Sequence, residues 1–196
     1  MDLTLTSRFD YPHYRLLIDE LFSNGLSTTG NDDPEKLKLV KLNIARMNRI
    51  DKTYHPADEL QQIVRALPPM DWLVITEGWC GDSAQLVPVV AKIAALNPSI
   101  KLELILRDQH DEIMDQHLSN GKRSIPKFVF MRRSDHAILG EWGARPKALQ
   151  ELVVQWVAEP GVDKEAREKR IHAWYAKDKA VSVEQELMHL FKGMIS

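Results

Sequence analysis

Apolar residues change their spacing several times along this chain, and each change marks a new element. The segment Tyr14–Phe22 carries apolar positions at helical spacing and stops at Asn24-Gly25. After a loop from Ser27 to Asp33, Pro34 suits the first turn of a second helix, where Leu37, Val40, Ile44 and Met47 recur three or four residues apart. A third helix is predicted over Ala57–Ala66, ending before Pro68-Pro69. Trp72-Leu73-Val74-Ile75 then runs without alternation, as a parallel strand buried on both faces does. Leu86, Val90, Ile93 and Ala94 form one helical stripe that closes at Asn97-Pro98. Leu102, Leu104 and Leu106, interleaved with Glu103 and Ile105, give the next strand. A short crossover helix is expected over Asp111–Leu118. Phe128–Met131 and Ala137–Trp142 read as a hairpin turning at Ser134-Asp135-His136. Ala148–Val157 is a helix with Leu149, Leu152, Val153 and Trp156 toward a sheet. Lys164–Lys179 is densely charged around Ile171, Trp174 and Tyr175, the pattern of a solvated helix packed by its aromatics. Val183, Leu187, Leu190 and Phe191 mark a last amphipathic helix, whose stripe suits either the N-terminal helices or a second subunit.

Composition narrows the class. The 196 residues are 44% hydrophobic with a formal charge of −2, enough for one good core and an appended subdomain. That balance gives no bias toward nucleic acid or membrane, so neither is expected as a partner. Met1-Asp2-Leu3-Thr4 has neither a basic nor an apolar leader region, and no apolar run approaches the roughly 20 residues of a membrane span. One unpaired cysteine suits a reducing cytoplasm, and seven scattered histidines offer no zinc spacing, so no metal site is expected.

That cysteine, Cys80, lies in Trp79-Cys80-Gly81-Asp82-Ser83, directly after the Trp72–Ile75 run. A strand turning through glycine into a helix leaves Cys80 at a helix N-terminus, where free N–H groups and the dipole favour a thiolate. Further on comes Gly121-Lys122-Arg123-Ser124-Ile125-Pro126, leading into the Phe128 strand. This ordered set resembles the thioredoxin superfamily. Trp79, Cys80 and Gly81 match its active-site motif, and Pro88 falls where the helix proline belongs. Ile125-Pro126 matches the cis-proline segment, and Gly140–Gly143 the stretch before the last helix. The resemblance spans roughly residues 70–158. It implies an α/β thioredoxin-like fold, a central mixed sheet flanked by helices. The chain then divides into an N-terminal helical extension (1–52), a thioredoxin-like core (53–158) and a C-terminal helical extension (159–196).

The departures bear on chemistry. Ser83 stands where the family has its second cysteine, and with one cysteine in the chain no intramolecular disulfide can form. Any redox cycle needs an external thiol. Val74, six positions before Cys80, replaces the family's buried aspartate, which serves the missing second thiol. Glu77 lies nearby, in the turn before Trp79, and is expected to be solvated. Asp82 replaces the motif's proline. It reads as an N-cap, or as a contact to a polar ligand at the rim, and its charge opposes a Cys80 thiolate. Trp79 reads as a packed neighbour shaping the rim. Arg107 and Arg123 suit a carboxylate or a thiolate, or pairing with Asp108 or Asp111. Tyr54 and His55 are accounted for by a turn beside Pro56.

For function the resemblance implies a monothiol thiol–disulfide oxidoreductase. Cys80 attacks a protein or small-molecule disulfide and is released by an external thiol, with glutathione as co-substrate rather than a bound cofactor. The alternatives are a redox-inactive binding module, which meets a peptide or thiol tripeptide at the cis-proline groove, and a glutathione-ligated iron–sulfur carrier like the monothiol glutaredoxins. The site residues expected on either of the first two readings are Cys80, with Trp79, Gly81, Asp82, Ser83, Arg123, Ile125 and Pro126 around it.

Overall fold

The apolar run at Trp72 becomes the centre of a mixed sheet in the computed structural model, which describes residues 8–195. The reading of Met1–Thr4 lies outside those residues. Strand β1 (Met70–Thr76) pairs in parallel with β2 (Ile100–Leu106) and antiparallel with β3 (Lys127–Arg132), which pairs antiparallel with β4 (Ile138–Gly143). The spatial order is β2-β1-β3-β4. Trp72 lies opposite Leu102 on one side and Phe130 on the other. With a neighbour on each edge and both faces covered, β1 has no solvent side, and its unalternating sequence follows from that.

Three helices precede the sheet: α1 (Tyr11–Ser23), α2 (Pro34–Thr53) and α3 (Asp58–Ala66). Asp10 caps α1, and Asp33 caps α2 just before Pro34. Helix α4 (Gly81–Ala94) follows β1 and carries Pro88 within it. It lies along α2. Helices α6 (Lys147–Ala158), α7 (Lys164–Asp178) and α8 (Val181–Ile195) complete the chain. Trp72, Val74, Leu104, Phe128 and Phe130 form one face of the sheet and share a single apolar cluster with residues of α1, α2, α3, α4, α6, α7 and α8. Phe191 of α8 stacks on Trp72 with ring centroids 5.1 Å apart and meets Phe130 edge-on at 5.2 Å. The stripe of α8 is thus spent within the chain. At Gly140 of β4, a Cβ would lie 2.9 Å from the terminal side-chain carbons of Leu190 and Met194, so α8 packs closely over the strand and a larger residue there would have to turn those side chains aside.

The opposite face is thinner. Leu73, Ile75, Ile105 and Val129 pack there with Met114, Ile125 and Cys80. Its cover differs from the crossover helix expected over Asp111–Leu118. A 3₁₀ turn at Arg107–Gln109 leads into α5, a single helical turn spanning Asp111–Met114. The chain leaves the helix there because the buried His117 carries its imidazole inward, Nδ1 standing 2.7 Å from Glu141 Oε1, where the exposed Glu141 also pairs with the buried Lys127 at 2.7 Å. Buried charges hold their ground only when paired, and the helix path gives way to that pairing.

Candidate functional site

The turn after β1 is fixed from upstream. The Gly78 carbonyl accepts a hydrogen bond from the Asn43 side-chain amide at 2.9 Å, and the Gly78 N–H donates to the Thr28 hydroxyl oxygen at 3.1 Å. The Thr28 hydroxyl in turn donates to the Glu77 carboxylate, whose other oxygen accepts the Asp108 N–H at 3.0 Å. Glu77 is therefore not solvated as its turn position suggests. It is fully buried, at 0% exposure. Burial pushes its carboxyl up, against the Thr28 hydroxyl and the Asp108 N–H, which favour the charged form. Its partner Thr28 lies 49 residues away in the loop before α2, so no local signal in the sequence marks it.

Cys80 itself is the N-cap of α4. Its Sγ accepts the Ser83 N–H at 3.4 Å, and its S–H donates to the Ile125 carbonyl at 3.4 Å. The thiol is 8% exposed, and its pKa is pushed up to about 11. Burial is the larger cause and the Asp82 charge the second, while the Ser83 hydroxyl and the N–H groups of Ser83 and Asp82 pull the other way. The contest between helix N-terminus and Asp82 is thus decided by a third party, desolvation. Ser83 is buried beside the thiol.

Asp82 is neither a cap nor a free contact at the rim. With Cys80 as N-cap and Gly81 as the first helical residue, the Asp82 side chain turns inward. One oxygen pairs with Arg145 Nη2 at 2.7 Å, and the other accepts the Tyr175 hydroxyl at 2.9 Å. Burial raises the Asp82 carboxyl, opposed by Arg145, Tyr175 and Arg46. Helix α7 comes down directly on the motif. A Cβ at Gly81 would stand 2.9 Å from Cε1 and Nε2 of His172, so any larger residue would have to push that ring aside. The His172 Nδ1 accepts from the Gln85 amide at 3.3 Å. Burial pushes that imidazole down to about 4, reinforced by Arg46, Arg145 and Arg49, which keeps it neutral.

The Ile125–Pro126 bond is cis, as is Gly143–Ala144, and both Ile125 and Pro126 are buried. Gly143 backs onto the Pro126 carbonyl, leaving no room for a Cβ. Trp79 is half-buried, with Arg107 4.9 Å and Lys36 5.4 Å from its ring centroid. This gives the rim two cations whose positions are fixed by an aromatic face. Arg107 also pairs with Asp108 at 2.7 Å. Arg123, further out, is held by Asp115 and Asp111 at 2.6 and 2.7 Å, the pairing with acids that was one of its two readings. Val74 is buried in the main cluster. Among the described residues no group of three or more His, Cys, Asp or Glu is placed to hold a metal ion. No helix among them is long and apolar enough to cross a membrane.

The structure therefore brings Trp79, Cys80, Gly81, Asp82, Ser83, Ile125 and Pro126 together and leaves Arg123 at the margin. The sequence reading missed Thr28, Asn43, Gln85, Arg145, His172 and Tyr175. Of these only Tyr175 gave a signal, as an aromatic in an otherwise charged segment.

Among solved structures, a protein of unknown function from Pseudomonas aeruginosa (PA1234) superposes with a TM-score of 0.57, at 18% identity, over 94% of this chain and 98% of that one. An HIV epitope-scaffold reaches a TM-score of 0.48 at 17% identity, over 93% of this chain and 94% of its own. No curated protein matches the sequence. A family model described as thioredoxin matches residues 30–169, from the loop before α2 into α7, and with the cysteine turn and sheet described above it places this chain in the thioredoxin family.

Proposed function

We propose that this thioredoxin-family chain is a binding protein rather than a turnover disulfide reductase, with Cys80 held as a covered, protonated thiol at neutral pH. The setting of Cys80 supports this reading: 8% exposure, a pKa near 11 and an S–H bond to the Ile125 carbonyl. At pH 7 such a thiol is ionised in about one molecule in ten thousand. The partner is a peptide or small thiol-bearing peptide that meets the rim at Trp79 and Arg107, beside Ile125. Pairing with the Ile125 carbonyl would displace the thiol from it, so binding and thiol release are linked.

A second reading is a monothiol oxidoreductase, favoured by the Ser83 N–H that points at Sγ from the first turn of α4. In that cycle the Cys80 thiolate attacks one sulfur of a disulfide, forming a mixed disulfide and expelling the other sulfur as thiolate. A glutathione thiolate then attacks the mixed disulfide, taking the bound group and restoring Cys80.

Two measurements distinguish the readings: ultraviolet titration of the thiolate, with Cys80→Ser as blank, and glutathione-dependent reduction of a model mixed disulfide. Binding without turnover predicts a midpoint near 11 and no rate above the blank. A midpoint below about 8, with turnover lost in Cys80→Ser, overturns it and establishes the monothiol cycle.

A further inference from the structure

Behind the motif, where the C-terminal end of α2 meets α4 and the turn between α7 and α8, lies a cavity of about 390 Å³. That volume sits in the lower part of the range of about 300–1,000 Å³ typical of small-molecule sites. Its floor is apolar, built by Ile50, Leu86, Val89 and Val183. Its rim is basic: Arg49, His55 and Lys179 all line it. None of the three lies within ion-pair distance of a carboxylate among the described residues. Arg49 donates only to the Gln85 side-chain oxygen, at 3.2 Å. The acids nearby are oriented away by neutral hydrogen-bond donors of the chain. Glu184 accepts from the Tyr54 hydroxyl at 2.7 Å and the Ala57 N–H at 3.1 Å, and Asp178 is taken up by Ser182. Arg49 and Lys179 therefore stand as cations without a directly paired carboxylate at the mouth of an apolar hollow.

The backbone adds an independent observation. Lys179 and Ala180 stand consecutively in the left-handed region, at φ 52 and 69, and both line the cavity. Glycine is the inexpensive residue for such a helix end, yet this chain places a cation and a methyl there. Non-glycine residues held in this conformation concentrate at ligand sites. Here the side chains retained at that cost are the ones that face the hollow.

We propose that this cavity binds a small amphipathic carboxylate, its head group at Arg49, His55 and Lys179 and its tail against the apolar floor. The site is separate from the rim at Trp79. Two of its wall residues, Gln85 and Tyr175, also bond to His172 and Asp82, so its occupant rests against the elements that cover Cys80.

The test uses the full chain and octanoate as probe, followed by calorimetry and amide NMR, with octylammonium as the charge-reversed control. The expected result is saturable octanoate binding with amide shifts centred on Val89, Ala176 and Lys179, and no binding of octylammonium. The exposed double substitution Arg49→Gln/Lys179→Gln should weaken octanoate by about tenfold or more, and Ala176→Leu, which fills the hollow from a surface position, should abolish binding. Absence of octanoate binding at millimolar concentration would overturn the proposal. So would equal binding of the two probes, or octanoate binding that neither variant weakens while both remain folded.

Discussion

At the scale of single residues, Asp82 has the largest influence on Cys80 after burial itself. It is a buried charge matched by Arg145 and by the Tyr175 hydroxyl, and it raises the thiol while holding α7 in place. Asp82→Asn should therefore lower the Cys80 pKa and weaken the fold together. Removing one partner of a buried pair costs about 3–5 kcal/mol, to be read from chemical denaturation, with the thiolate absorbance reporting the pKa. His172 makes a pH prediction with a definite sign. Its folded pKa is about 4, against about 6.5 when unfolded, so between those values the unfolded chain binds the extra proton. Stability is complete above about pH 6.5 and falls as pH drops toward 4. His172→Gln should flatten that slope in denaturation midpoints measured across the range. Glu77 shows why some of the site was not legible in sequence. A carboxylate in a turn beside glycine is ordinarily solvated, and only the Thr28 loop, folded over it from far upstream, reverses that.

At the scale of elements, legibility follows the range of the interactions. The Trp72–Ile75 strand, the helix after Cys80 and the Phe128 hairpin were readable because each carries its own hydrophobic pattern, and the structure extends them by a few residues at most. Helix α5 was overextended because the pairing of His117 with Glu141, contributed by another strand, ends it early. Helix α7 was recognisable as a helix but not as part of the site, since its contacts to Gly81 and Asp82 span some ninety residues. Its seat on the motif can be tested with one methyl group. Gly81→Ala would push against the His172 ring, costing about 1–3 kcal/mol as overpacking does, and should speed alkylation of Cys80. Control substitutions on the exposed face of α7, such as Lys169→Ala, should leave that rate unchanged. For α8 the critical side chain is Phe191, wedged between Trp72 and Phe130. Phe191→Ala should cost about 3–5 kcal/mol in denaturant unfolding, since an aromatic vacancy at the centre of the sheet cannot collapse.

At the scale of the whole molecule, the helices before and after the sheet share its principal core, and together with the loop before α2 they supply three of the contacts that shape the cysteine turn, through Thr28, Asn43 and Tyr175. Trimming the chain to the segment that resembles thioredoxin, residues 70–158, would strip those contacts and uncover Trp72, Phe128 and Phe130 on one face. The covered single thiol also gives the protein a built-in clock for its own breathing. A bulky maleimide reaches Sγ only while the structure is open. Its reaction rate, corrected for thiolate fraction, is thus the rate of a free thiol multiplied by the fraction of time spent open. Small additions of urea then sort the openings by size. A rate indifferent to urea means that α7 lifts alone, and a rate rising as steeply as global unfolding means that the motif is exposed only when the whole core comes apart.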